Sequence, residues 1–142
     1  MKMWATARAL SALQWRYLCA SWLLLPVVDL SLRLLGYRST VAALERLGFR
    51  ASQMLVSDSR DLPEQIAQAV SIAARRSIWP TSCLRQALLL WWFLGRRGVS
   101  VEVRIGADVG GGRQFAAHAW VERDGGVLLG GEHVRKHYVV LL

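Results

Sequence analysis

The sequence predicts an α+β fold, with helices in the first two thirds of the chain and strands in the last third. The chain has 142 residues, enough for one compact domain or for one small domain with an appendage. Hydrophobic residues make up 54% of it and charged residues 20%, a composition that supports a buried core and excludes intrinsic disorder. Apolar residues follow a helical period up to about residue 95, and from residue 99 onward they alternate with polar residues, as in half-buried strands.

The composition also limits the classes of function. The formal net charge is +8, from 18 Lys and Arg against 10 Asp and Glu. The arginines are dispersed along the chain rather than gathered on one helix or stripe, so we expect no nucleic-acid partner. The two cysteines, Cys19 and Cys83, exclude a disulfide scaffold and a Cys-only zinc site.

The N-terminal region, residues 4–35, is rich in Leu, Ala and Trp. Its longest uncharged run, residues 17–28, has 12 residues, whereas a bilayer span needs roughly 20. Arg16 and the lack of a clear small-residue cleavage site argue against a signal peptide. We therefore expect a cytoplasmic protein with reduced thiols, in which Cys19 is a small buried hydrophobe.

Two helices are predicted in this region, over about 5–24 and 27–36, divided at Pro26 and ended by Gly36. They would cover the rest of the protein, dock to a partner or attach to a membrane surface. The hydrophobic pattern by itself favours the covering role.

A short helix follows at 41–47, and after it a polar connector leads to a predicted boundary. Residues 1–60 would form a hydrophobic helical N-terminal region, and residues 61–142 a second domain that carries the chemistry. The first helix of that domain has Pro63 in its first turn, where the missing N–H costs nothing, and ends near the arginine pair at 75–76.

Cys83 is predicted in the first turn of the next helix, because Pro80 and Ser82 are helix-start signals. Residues 87–94 are apolar on every side, which indicates a helix buried in the core. A lone helical cysteine is ordinarily an inert core residue. At a helix N-terminus, however, the thiolate is favoured and free N–H groups can stabilise an oxyanion, so the position favours a nucleophile.

Four strands are predicted after this helix, at about 99–105, 114–122, 127–129 and 138–142. A glycine-rich loop joins the first two, and Asp124-Gly125 forms a tight turn before the third. In the second strand, Ala119 and Val121 share one face, while His118 and Trp120 share the other.

His118 is the candidate base for Cys83, because a nucleophilic thiol needs a neighbour that takes its proton near neutral pH. Such pairs meet in space rather than in sequence. His133 and His137 are spaced at i, i+4, but no Cys or acidic residue joins them convincingly as a ligand. We therefore expect neither a metal nor another cofactor.

Four strings now carry a resemblance: Ser82-Cys83-Leu84-Arg85-Gln86-Ala87-Leu88, Arg96-Arg97-Gly98-Val99, Val103-Arg104-Ile105-Gly106 and Ala117-His118-Ala119-Trp120-Val121-Glu122. Together they resemble the lasso-peptide leader peptidases of the transglutaminase-like cysteine protease superfamily. The similarity is dense over residues 60–142. It implies a papain-like, transglutaminase-like arrangement, in which a core helix carrying the cysteine packs against an antiparallel sheet carrying the histidine, with the N-terminal helices as an extension.

The resemblance implies that Cys83 is the nucleophile and His118 the base of a peptidase that removes the leader from a lasso-peptide precursor. The family's third catalytic residue, usually Asp, would align near Gly130, where this chain has no acid. Glu132 is the favoured replacement. Asp124, or a backbone or amide group, stays open as an alternative.

The resemblance also implies partners. These are the precursor peptide with its leader, a separate leader-recognition protein, and the ATP-dependent lasso cyclase that would use the product. Residues 1–60 lack the strand alternation that a fused recognition domain would need. Two other functions remain open: a non-catalytic adaptor that binds a partner or a membrane surface through residues 4–35, and a transglutaminase-like acyl transferase acting on peptides.

Overall fold

The computed structural model describes residues 10–49, 61–78, 82–108, 117–131 and 138–141. The helices are α1 (Ala12–Phe49), α2 (Leu62–Arg75) and α3 (Cys83–Arg96). The strands are β1 (Glu102–Asp108), β2 (Ala117–Arg123), β3 (Gly126–Leu129) and β4 (Tyr138–Val140). Helices precede strands, so the predicted α+β fold is confirmed.

The helix α1 is interrupted once within its length, at Gly36, whose backbone angles (φ 80°, ψ 173°) are not helical. The predicted end of a helix at Gly36 is therefore confirmed. The predicted division at Pro26 is wrong, because the helix continues through this residue. Leu25 and Val28 are buried on either side of exposed Pro26, and their packing holds the helix together across it.

Polar contacts join α1 to the other two helices. Gln14 Nε2 donates a hydrogen bond of 2.7 Å to Gln68 Oε1 on α2. Arg97, just after α3, donates from Nε to the Tyr17 hydroxyl at 2.8 Å. The hydrophobic core likewise includes residues from all three helices. The predicted boundary after residue 60 adjoins residues 50–60, which lie outside the described ranges, and it stays a prediction.

The helix α3 is the centre of this core. Its residues Leu88, Leu89 and Leu90 are at most 1% exposed, as predicted for a helix that is apolar on every side. It contacts α1, α2, β1 and β2. Because α3 is enclosed in this way, the position of its first residue is fixed by packing on several sides.

The four strands form one antiparallel sheet in the order β3-β2-β1-β4. The turn from β2 to β3 is made by Asp124 and Gly125, both with positive φ (49° and 80°), as expected of the tight hairpin turn predicted there. In β2, Ala119 and Val121 belong to the core between the sheet and the helices, which confirms the predicted face.

The other face of β2 is covered by its own aromatic residues. Trp120 is fully buried there and donates from Nε1 to Glu122 Oε1 at 2.8 Å. Its indole lies across β1 at Gly106: a Cβ on Gly106 would stand only 2.8 Å from the ring. A glycine at this position of β1 is thus what allows the tryptophan to lie against the sheet.

Candidate active site

Cys83 is the first residue of α3, as the start signals predicted. Ser82 is the N-cap, with extended backbone angles, and its hydroxyl accepts a hydrogen bond from the Arg85 N–H at 3.5 Å. The cysteine is partly exposed, whereas Cys19, expected to be buried, is exposed on α1. Cys83 therefore combines access to solvent with the positive end of a helix dipole.

The thiol of Cys83 reaches the backbone of β2. The Ala119 N–H donates a hydrogen bond to Sγ at 3.4 Å, across 36 positions of sequence. Ala119 directly follows His118, so Cys83 contacts the strand that carries the histidine, one residue further along its backbone.

The imidazole of His118 lies on the aromatic face of β2. Its ring centroid is 6.3 Å from that of Trp120, with the rings nearly parallel (19°), and 5.3 Å from that of Tyr138 on β4 (32°). Its Nε2 atom is buried and has no hydrogen-bond partner among the described residues. No hydrogen bond joins Cys83 Sγ to the imidazole in the described part of the structure. Catalytic hydrogen bonds often tighten only when substrate is bound.

Gly130 stands beside this unpartnered nitrogen. A Cβ built on Gly130 would lie 3.4 Å from His118 Nε2, so the position aligned with the family's third residue does face the imidazole. The same Cβ would lie 2.6 Å from Trp120 Cβ, and the φ of Gly130 is +114°. No side chain fits there without a rearrangement, so an orienting group must reach Nε2 from another position.

Of the two acidic candidates, the structure places only Asp124. It lies in the exposed turn beyond the far end of β2 from His118, roughly 20 Å along the strand, and pairs with Arg123 at 3.5 Å. The fold therefore does not bring Asp124 to the imidazole. Glu132, together with His133 and His137, falls outside the described residues. Within the described ranges, no group of three His, Cys, Asp or Glu side chains could hold a metal ion.

A groove of about 590 Å³ runs between α2 and β3 and ends at Gly130 and Gly131. Its lining is mixed in charge, with Glu64 and Arg75 from α2. Gly130 lines one end of the groove and also lies beside His118 Nε2, but neither Cys83 nor His118 lines the groove itself. The groove has the open shape that an extended peptide needs.

Two contributions to the site were not predicted from the sequence. One is Tyr138, which reaches His118 only because β4 pairs with β1 at the sheet edge. The other is the ion pair of 2.5 Å between Arg85 and Asp29, which joins the first turn of α3 to α1. The Arg85 side chain is 17% exposed and the Asp29 side chain 22%, so the pair is partly shielded from solvent. The available signal for the ion pair was Asp29 itself, the one acid in the apolar stretch of residues 4–35.

The steric constraint at Gly130 gives a prediction for stability. Gly130→Ala should lower the free energy of unfolding by about 1–3 kcal/mol, because of the positive φ and the clash with Trp120. Gly126→Ala is the matched control: its new Cβ would meet its nearest atom at 3.5 Å, and we expect a change within about 1 kcal/mol. Urea denaturation followed by circular dichroism measures both, and equal losses would contradict the steric argument.

Comparison with known proteins agrees with this geometry. No match was found among curated proteins or among solved structures. The family described as Transglutaminase-like superfamily matches residues 22–142, which include all three helices in whole or part and the entire sheet. With a cysteine at the start of a core helix seated on a histidine-bearing antiparallel sheet, the chain belongs to the transglutaminase-like superfamily.

Proposed function

We propose that this protein is a cysteine peptidase that removes the leader from a ribosomally made lasso-peptide precursor. The observation that carries the proposal is the contact of Cys83 Sγ, at the N-terminus of α3, with the β2 backbone beside His118. Membership of the superfamily supports cysteine-based acyl chemistry. The leader specificity rests on the resemblance of the sequence strings around Cys83 and His118.

The proposed reaction is acyl transfer through a thioester. The Cys83 thiolate attacks the scissile carbonyl, and the resulting oxyanion is held by backbone N–H groups at the start of α3, including that of Cys83. The C–N bond then breaks as His118 donates a proton to the leaving amine, which is the new N-terminus of the core peptide. Water, deprotonated by His118, hydrolyses the thioester and releases the leader.

The two nitrogens of the imidazole have different tasks in this mechanism. Nε2 faces Gly130, so Nδ1 is the nitrogen left for proton exchange with Cys83. We propose Glu132 as the group that receives Nε2–H and stabilises the imidazolium. Its position in the sequence, two residues beyond Gly130, supports the assignment, because Gly130 itself cannot carry an acid.

The proposal includes a separate leader-recognition protein, which would present the precursor to the groove between α2 and β3. The ATP-dependent lasso cyclase would then use the freed amine, and both steps would take place in the cytoplasm. A second candidate follows from the superfamily itself: the same thioester, attacked by an amine instead of water, gives a transglutaminase-like acyl transferase.

Mass spectrometry of a precursor peptide incubated with this protein and its recognition partner tests the proposal. Leader and core fragments whose masses sum to the precursor plus one water should appear. Cys83→Ala should lower the rate by at least about a thousandfold, because the thioester cannot form. Cys19→Ala is the matched control, since this thiol is exposed on α1, and it should retain full activity.

Each other outcome has a definite meaning. A leader linked to an added amine, without hydrolysis, would favour the acyl transferase. An intact precursor, with a folded protein bound to its partner, would contradict the peptidase and favour an adaptor.

The assignment of Glu132 has a test of its own. Glu132→Gln should lower kcat by about 10²–10⁴ while changing KM little, because an orienting acid acts mainly on the imidazolium formed during the reaction. Asp124→Asn makes the same chemical change at the far end of β2 and should leave kcat unaltered. Single-turnover kinetics on the precursor measures both. A large loss in Asp124→Asn, or none in Glu132→Gln, would contradict the assignment.

A further inference from the structure

The solvent-exposed side of α1 is almost entirely apolar before Gly36. Between Ala12 and Leu35, every exposed residue is apolar apart from two arginines, Arg16 and Arg33. We call this surface the outer face of α1; its central members are Trp15, Cys19, Trp22, Leu23, Pro26, Val27, Leu30 and Leu34. Leu23 and Leu34 are 65% and 73% exposed. A contiguous apolar surface of this kind indicates a binding surface.

The inner side of the same helix carries polar residues beside the apolar ones that pack in the core. Gln14 and Ser21 are buried, and both are hydrogen-bonded, Gln14 to Gln68 on α2 and Ser21 to the carbonyl oxygen of Tyr17. In a surface helix of a soluble protein the apolar stripe faces the core. In α1 the outward side is apolar as well, so its sequence matches an apolar environment outside the protein.

Two further features favour a lipid surface as that environment. The outer face carries tryptophan and arginine but no acidic residue. The one acid between Ala12 and Leu35 is Asp29, whose side chain is only 22% exposed and pairs with Arg33 and Arg85. Tryptophan is enriched where membrane meets water, and arginine can extend from an apolar surface to lipid phosphates. With a net charge of +8, the chain complements an anionic surface.

The helix is positioned to lie on a bilayer rather than to cross it. By length and composition alone α1 could span a membrane. Its inner side, however, packs on α2 and α3, and its contacts to Gln68, Arg85 and Arg97 would be lost if it left the fold. The stretch from Trp15 to Leu34 is about 28 Å long and can rest flat in the interface.

We propose that the outer face of α1 binds the surface of an anionic lipid bilayer, with the helix parallel to the membrane plane. The contacts described for Cys83 and His118 are with β2 and β4 and not with this surface, so it would attach the protein to a membrane without occupying the catalytic site. Leader removal does not depend on this binding.

Flotation of the full-length protein with phosphatidylcholine vesicles, with and without phosphatidylglycerol, tests the proposal; flotation also separates bound protein from aggregates. The protein should float with the anionic vesicles and less with the neutral ones. Leu23→Glu should lower the partition coefficient at least about tenfold. Leu47→Glu is the matched control, an equally exposed leucine (63%) beyond the Gly36 interruption, and should float like the unmodified protein.

Three results would overturn the proposal. One is that the folded protein does not float with either vesicle. Another is that Leu23→Glu floats as well as the unmodified protein. The third is that, without vesicles, the protein forms a dimer or a complex with its recognition partner that Leu23→Glu disrupts, which would make the outer face a protein interface.

A second inference rests on different observations, the surroundings of His118, and deepens the proposed peptidase function. Gly130 cannot carry an orienting side chain, and the ring contacts described for the imidazole are with Trp120 and Tyr138. Trp120 is held between Gly106 and Gly130 and cannot move independently. Tyr138 is the closer ring, at 5.3 Å, and comes from a separate strand.

We infer that Tyr138 is a positioning residue for His118. Its ring limits rotation of the imidazole, keeping Nε2 toward Gly130 and Nδ1 free for the thiol. An aromatic ring near the imidazole also stabilises the imidazolium that forms during the reaction. The ring is what the inference requires, and the hydroxyl is not.

Substitution at Tyr138 separates the ring from the hydroxyl. Tyr138→Leu should lower kcat about five- to tenfold with KM unchanged, and Tyr138→Phe should restore kcat to within about twofold of the unmodified protein. Val140→Leu, at a 47% exposed position on the same strand, is the control for general effects on β4. Equal losses in Tyr138→Leu and Tyr138→Phe, or none in either, would overturn the inference.

NMR spectroscopy of the His118 imidazole tests the role of Tyr138 without any measurement of peptidase activity. The His118 imidazole protons, assigned by comparison with His118→Gln, should be displaced in the NMR spectrum by ring currents from both aromatic neighbours. Tyr138→Leu should move and broaden these resonances, and Tyr138→Phe should not. Unchanged resonances in Tyr138→Leu overturn the inference whether or not the protein cleaves a precursor. Absent cleavage with the expected NMR changes contradicts only the peptidase.

Discussion

The seating of α3 against β2 is the contact on which the rest of this structure depends. Two helices and the sheet enclose α3. Their packing fixes the position of its first residue, Cys83, against the β2 backbone. A hydrogen bond from Ala119 to Cys83 Sγ completes the contact. The burial of Leu88, Leu89 and Leu90 thus does more than stabilise the fold, since it sets the position of the Cys83 sulfur relative to the strand that carries His118.

On the face of the sheet that carries His118 and Trp120, close packing rather than hydrogen bonding sets the positions of the side chains. Gly106 and Gly130 have no side chain, and Trp120 occupies the space that their side chains would need. Because of Trp120, no side chain at position 130 fits beside His118 without a rearrangement. A site that must hold an imidazole in one orientation can do so with a hydrogen bond or with packed rings. In the described part of this site, the contacts of the imidazole are with aromatic rings.

Local signals in the sequence predicted the elements well, because caps, turns and periodicity act over a few residues. Cys83 at a helix start and the turn at Asp124-Gly125 were predicted for this reason. Pro26 was assigned wrongly, since packing on either side of it outweighs its local preference. The contact of Tyr138 with His118 was not predicted, because it depends on which strands pair. Strand order is a property of the whole sheet and not of a short segment.

The interlocking of Gly106, Trp120 and Gly130 also limits how this site can change. A Cβ at position 130 would meet the Cβ of residue 120 at 2.6 Å, and every residue except glycine carries that atom. An acid at position 130 would therefore require either a shift of the backbone or a glycine at position 120. That glycine would open a cavity over Gly106 and remove one of the two rings beside His118. A single substitution at position 130 thus does not place an acid beside His118 in this backbone.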